Sequence, residues 1–268
     1  MKTHNKTKAS LLAALLAIFS FNTTHAATLG VESASNYSPG ALANGTTGTI
    51  GTWYVSTDAG GASVTIADSS QGGRTSIGSS AFFLQPGVTG WNQFSNAWFV
   101  FNDGSLLTGQ TVSVNANYLW NGGVRGVQFQ TAGGATSLFR FEQRWGDNIQ
   151  FKGTGLLDTD VVTTAMNAYQ RALTYTVEQV TSTSVYVTAS LLGDSTSLYT
   201  QTISVPSEIT QIQFYAGDIQ TSSTDQPNFG MFVNDITVTG IPEPSTGGLL
   251  VVGSGLLMLT RLWRRNTA

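Results

Sequence analysis

From residue 27 to residue 240 apolar side chains recur at every second position, in short runs cut by Gly, Asn, Asp and Ser. A period of two is the signature of a strand with one face buried, because successive side chains point to opposite sides. The runs are Trp53–Thr57, Ala62–Ala67, Ser80–Leu84, Ala97–Phe101, Thr111–Leu119, Gly126–Thr131, Ser137–Gln143 and Asn148–Lys152. A second set follows at Leu173–Gln179, Ser184–Ser190, Tyr199–Val205, Gln211–Tyr215 and Met231–Thr239. Several are joined by turn-forming residues, as at Asn121-Gly122-Gly123, Gly146-Asp147-Asn148 and Leu192-Gly193-Asp194-Ser195. Asp158 to Ala172 alone has helical potential, and its Thr and Val content argues for a long loop instead. Strands without intervening helices cannot build βαβ units, so the expected fold is an all-β antiparallel sandwich.

The two ends read differently. Met1 to Ala26 has Lys2, Lys6 and Lys8, then the apolar Leu11 to Phe21, then Thr24-His25-Ala26, with cleavage expected between Ala26 and Ala27. That order is a secretory signal. The last 28 residues, 241–268, open on Pro242-Glu243-Pro244, an extended spacer in which no helix can start. An uncharged Gly/Leu-rich stretch from Gly247 to Thr260 follows, long enough to cross a membrane at the lower limit once Ser245 and Thr246 are counted. Arg261, Arg264 and Arg265, with Trp263 among them, then hold that end in the cytoplasm. This order of parts resembles the PEP-CTERM sorting signal of Gram-negative bacteria. The resemblance covers about a tenth of the chain. It implies recognition by an exosortase-type protease-transpeptidase, a membrane-anchored precursor, and release to the cell surface or extracellular matrix alongside exopolysaccharide. It implies glycosylation of a Ser/Thr-rich exported region as well. Three segments are therefore expected: 1–26, 27–240 and 241–268.

Without its ends the chain keeps six of its 12 Lys and Arg and fourteen of its 15 Asp and Glu. A surface this acidic repels phosphate backbones, so nucleic acid is not an expected partner. The two histidines, His4 and His25, both fall in the predicted signal, and the chain has no cysteine. Ser-His-Asp and Cys-His catalysis, and zinc or copper centres, are thereby removed from 27–240. Carboxylate chemistry and oxygen-ligated calcium survive.

Phe139-Arg140-Phe141-Glu142 followed by Gly146-Asp147-Asn148-Ile149, and Phe232-Val233-Asn234-Asp235-Ile236-Thr237-Val238, resemble strands of the concanavalin-like jelly rolls of lectins, laminin-G modules and glucanases. A galactose-binding-type sandwich is the rival. The jelly-roll resemblance implies a structural calcium at Asp235; no second ligand is visible in the sequence. Asp158-Thr159-Asp160 could chelate calcium on its own spacing, but reads more simply as a solvated loop. The E-x-D-x-x-E strand signature of laminarinase-like relatives is absent.

Trp120 and Trp145 stand at strand ends, where an aromatic face can stack on a sugar ring, whereas Trp98 lies in an apolar run and reads as core. Glu142 and Glu178 are the mid-sheet glutamates a glycosidase would need as a pair. Arg140 and Arg144, at i−2 and i+2, would keep Glu142 ionised. Ice binding would need ranks of regularly spaced Thr, and Thr181-Ser182-Thr183 and Thr237-Val238-Thr239 look isolated. The leading expectation is a non-catalytic surface or matrix protein associated with extracellular polysaccharide. A glycan-binding lectin-like module is the alternative, and a carboxylate-dependent glycoside hydrolase the second.

Overall fold

The computed structural model describes residues 27–69, 76–87, 92–119, 123–131, 136–144, 148–153, 171–217 and 230–240. Its strands begin with β1 (Ala27–Glu32), β2 (Gly40–Ala41), β3 (Thr46–Thr47), β4 (Gly51–Thr57) and β5 (Ser63–Ala67). Next come β6 (Ala81–Gln85), β7 (Ser95–Phe101), β8 (Thr111–Tyr118), β9 (Val124–Gln130), β10 (Ser137–Arg144) and β11 (Ile149–Gly153). The last are β12 (Ala172–Thr181), β13 (Ser184–Leu191), β14 (Ser197–Ser204), β15 (Gln211–Gly217) and β16 (Met231–Gly240). All thirteen runs read from the alternation are strands. The short β1, β2 and β3 were not anticipated: two have only two residues each, and β1 shows no clean alternation.

The strands form two sheets. One has nine strands in the order β14-β13-β12-β8-β16-β6-β5-β2, with β1 also pairing β16; the other has seven, β11-β10-β9-β15-β7-β4-β3. Neighbouring strands from β2 to β16 pair antiparallel, and β10 pairs β11 as expected. The described residues thus form an all-β antiparallel sandwich of two sheets, as expected. Thr28–Thr239 form one compact unit with its own core. Residues 1–26 and 241–268 lie outside the described residues, as does most of the 158–172 stretch.

Alternation decides which side chains enter the core. In β7 the pattern buries Ala97, Phe99 and Phe101 and leaves Asn96, Trp98 and Val100 partly exposed on the other face. Trp98 is therefore not core, contrary to the expectation: its apolar neighbours point the opposite way. Among the described residues the buried indole is that of Trp53, whose ring lies 4.3 Å from Phe82, 5.0 Å from Phe99 and 5.8 Å from Phe214. Phe141 of β10 stacks on Tyr175 of β12 at 4.4 Å, joining the sheets face to face.

Candidate functional site

The face of the seven-stranded sheet turned away from the core carries two rows of polar and aromatic groups. Register places Lys152, Arg140, Gln128, Gln213, Trp98 and Tyr54 in one row across β11, β10, β9, β15, β7 and β4. Beside it runs Gln150, Glu142, Gly126, Tyr215, Asn96 and Ser56. Within a sequence these residues are separated by core positions; only the pairing brings them together.

At the β10 end the rows converge on Glu142, whose carboxylate is almost wholly buried. Its Oε1 takes the Arg144 Nε–H at 3.0 Å and lies 3.6 Å from Lys152 Nζ; its Oε2 lies 3.3 Å from Arg140 Nε. Tyr215 donates its hydroxyl to Oε2 at 2.7 Å. Burial alone would raise the carboxyl's pKa, but the hydrogen bonds from Arg144 and Tyr215 and the charges of Arg140 and Arg144 outweigh it and hold it below the ordinary glutamate range. Burial, and then the neighbouring carboxylate, push the Tyr215 phenol well up, so it remains the donor. Gly126 makes this geometry possible. A Cβ there would run into the Tyr215 ring and hydroxyl, which lie across the glycine to reach Glu142.

At the β7 end the surface opens. Tyr54 is 44% exposed and directly opposite the half-buried Trp98. Side-chain amides adjoin them in a chain. Gln211 Nε2 donates to Gln130 Oε1, Gln130 Nε2 to Gln213 Oε1, and Gln213 Nε2 to Asn96 Oδ1, at 2.7, 2.7 and 3.0 Å. Each amide is thereby held in one orientation.

The sequence-derived candidates are distributed otherwise. Trp120, Trp145, Asp158, Asp160, the Pro242-Glu243-Pro244 motif, Arg261, Arg264, Arg265 and Ala26 lie outside the described residues, and Ala27 opens β1. Glu178 lies on the outer face of the nine-stranded sheet, opposite Thr111 and Tyr186. The two mid-sheet glutamates therefore face away from each other across the sandwich and form no pair. Asp235 occupies a β-bulge in β16 with φ of 50°, a conformation that Asp tolerates better than most residues. Its partner is the Asn115 amide nitrogen, 3.5 Å from Oδ2, while the Asn115 oxygen accepts from Thr174. A donor nitrogen does not ligate a cation, and no group of three or more acidic, His or Cys side chains suited to a metal occurs among the described residues.

Thr237 is less isolated than its sequence neighbourhood indicates. It opens a rank of hydroxyls running across the nine-stranded sheet through Ser113, Thr176, Thr188 and Thr200. Such a rank runs perpendicular to the chain, which is why inspection along the sequence misses it. The twist between neighbouring strands turns it away from the flat lattice that ice presents. A small cavity of about 220 Å³, lined in part by Leu29, Ile50, Phe101 and Val238, lies beside β1 and includes none of the polar face's residues.

No protein-family model matches this chain, and no curated protein does. Solved structures do. One belongs to work on endo-acting O-glycanases that prominent members of the human gut microbiota express to initiate mucin breakdown. It is 11% identical over 80% of this chain and 100% of that one, at a TM-score of 0.48. Bacillus licheniformis β-glucanase is 12% identical over 83% and 100%, with a TM-score of 0.45. The Ca2+-bound exoplasmic/lumenal domain of VIP36 is 11% identical over 71% and 84%, with a TM-score of 0.43. At such distances the likeness says nothing about individual residues.

Proposed function

We propose that residues 27–240 are an exported, non-catalytic carbohydrate-binding domain that engages extracellular polysaccharide on the outer face of the seven-stranded sheet. The observation that carries this reading is the opposed Tyr54–Trp98 pair beside amides fixed in orientation. Aromatic faces stack on the C–H side of a pyranose, and oriented amides both donate to and accept from its hydroxyls. Pre-ordering of these side chains lowers the entropy lost on binding. Delivery through the 241–268 tail, with an exosortase-type enzyme as partner and the cell surface or matrix as destination, belongs to the same proposal. The non-catalytic part is supported by Glu142, which is locked and ionised by its neighbours and so unsuited to general-acid work, and by its distance from Glu178 on the opposite face.

A glycan array probed with purified 27–240 tests the proposal. Tyr54→Ala and Trp98→Ala are expected to weaken binding to the positive glycans at least ~10-fold. Tyr186→Ala, exposed on the other sheet, should leave it unchanged. No glycan bound, or binding indifferent to both face variants, would overturn the assignment of the face. Release of reducing ends from a bound polysaccharide would overturn its non-catalytic part.

A further inference from the structure

Each sheet of an open sandwich ends in two edge strands whose outer N–H and C=O groups are available to another strand, and natural proteins blunt such edges. Three ends among the described residues are blunted. β2 and β3 have two residues each, and the five-residue β11 carries Lys152. β14 is different. It is eight residues long and ends the nine-stranded sheet. No charged residue occurs from Ser195 to Ser207, and the single proline there, Pro206, lies beyond the strand. Its pairing with β13 is regular from Tyr199 to Ser204, so the opposite edge is regular over the same six residues. Ser197, Thr200, Gln201, Thr202 and Ser204 are exposed, and among the described residues β13 is its one strand neighbour.

We infer that β14 is a self-association edge, at which two copies of this chain pair antiparallel about a two-fold axis near Gln201. A second copy suits the edge for three reasons. The strand is uncharged, so two otherwise acidic domains meet where neither bears charge. In that register Thr200 faces Thr202 of the other copy, and Thr–Thr pairs are favourable cross-strand neighbours that continue the hydroxyl rank. On the inner side, Leu198, Tyr199 and Ile203 pack against the core but remain partly exposed, and a continuing strand would cover them. The interface is isologous and closes, giving a dimer with one continuous sheet.

The absence of cysteine supplies the test. Because Thr28–Thr239 carry their own core, 27–240 can be studied alone. In the proposed register position 201 faces itself at about 5 Å, within reach of a disulfide. Gln201→Cys is expected to oxidise to a covalent dimer, and sedimentation of the native sequence to show a monomer–dimer equilibrium. Thr200→Lys with Thr202→Lys clusters four like charges at the axis. The pair should weaken the dimer at least ~10-fold with a circular dichroism melt close to that of the native sequence. Thr176→Lys, mid-sheet on the same face, should leave it intact. A native domain that stays monomeric at every concentration would overturn the inference. So would a dimer indifferent to the two lysines while Gln201→Cys fails to cross-link.

Discussion

Glu142 shows how one side chain can be settled by its neighbours. Three cations and a phenol surround it in a site that burial alone would make hostile to charge. Since its folded-state pKa is depressed, its contribution to stability is fully present above the ordinary glutamate value of about 4.3 and disappears as pH falls through the folded value. The native domain should therefore lose melting temperature steeply on acidification below that range. Glu142→Gln should flatten the dependence and cost about 2 kcal/mol or more near neutral pH, because the cations lose their buried partner. Thermal melts of both proteins across that pH range check the sign and the size. The ionised state of Glu142 was legible in the sequence, since Arg140 and Arg144 at i±2 must share its face. Lys152 and Tyr215 were not, because they come from other strands and only register brings them near. Asn234 is a second case of this kind. Its side chain accepts from the Ala34 N–H at 2.9 Å and donates to the Ile77 and Ser80 carbonyls at 2.8 and 3.0 Å, fixing two loops to β16. Asn234→Ala is expected to cost about 2–4 kcal/mol, read from denaturant unfolding, since it orphans buried backbone groups.

At the scale of elements, alternation located β4 to β16 because burial on one face imposes it. It could not say which face is buried in an aromatic-rich run, and Trp98, read as core, consequently stands half-buried on the outer face. The candidate face was illegible for the same reason: its rows take one residue from each of six strands. Gly126 is the position where that face is most sensitive. Any side chain there must displace Tyr215, and with it the Glu142 cluster. Gly126→Ala is expected to destabilise the domain by about 1–3 kcal/mol and to weaken glycan binding, although residue 126 itself contributes no contact group. Melting temperature and array signal, measured together, test this; a binding-neutral, fully stable variant would contradict it.

On the scale of the whole molecule, the position of β16 has a kinetic consequence. The final strand of the domain is an interior one: it pairs β8 along most of its length, β6 from Met231 to Val233, and β1 as well. Everything before it in the chain makes an incomplete sheet with a gap at its centre. Such long-range pairings form late, because the loops they close must first be ordered. A polypeptide passing through a membrane from its N-terminus, as we propose for this one, would hence have no locked fold until its last ten sandwich residues had emerged. A chain ending at residue 229 is accordingly expected to lack a cooperative unfolding transition, and one ending at residue 240 to possess it, as circular dichroism would report. In the proposed export, strand order would then keep the domain from closing before its passage is complete.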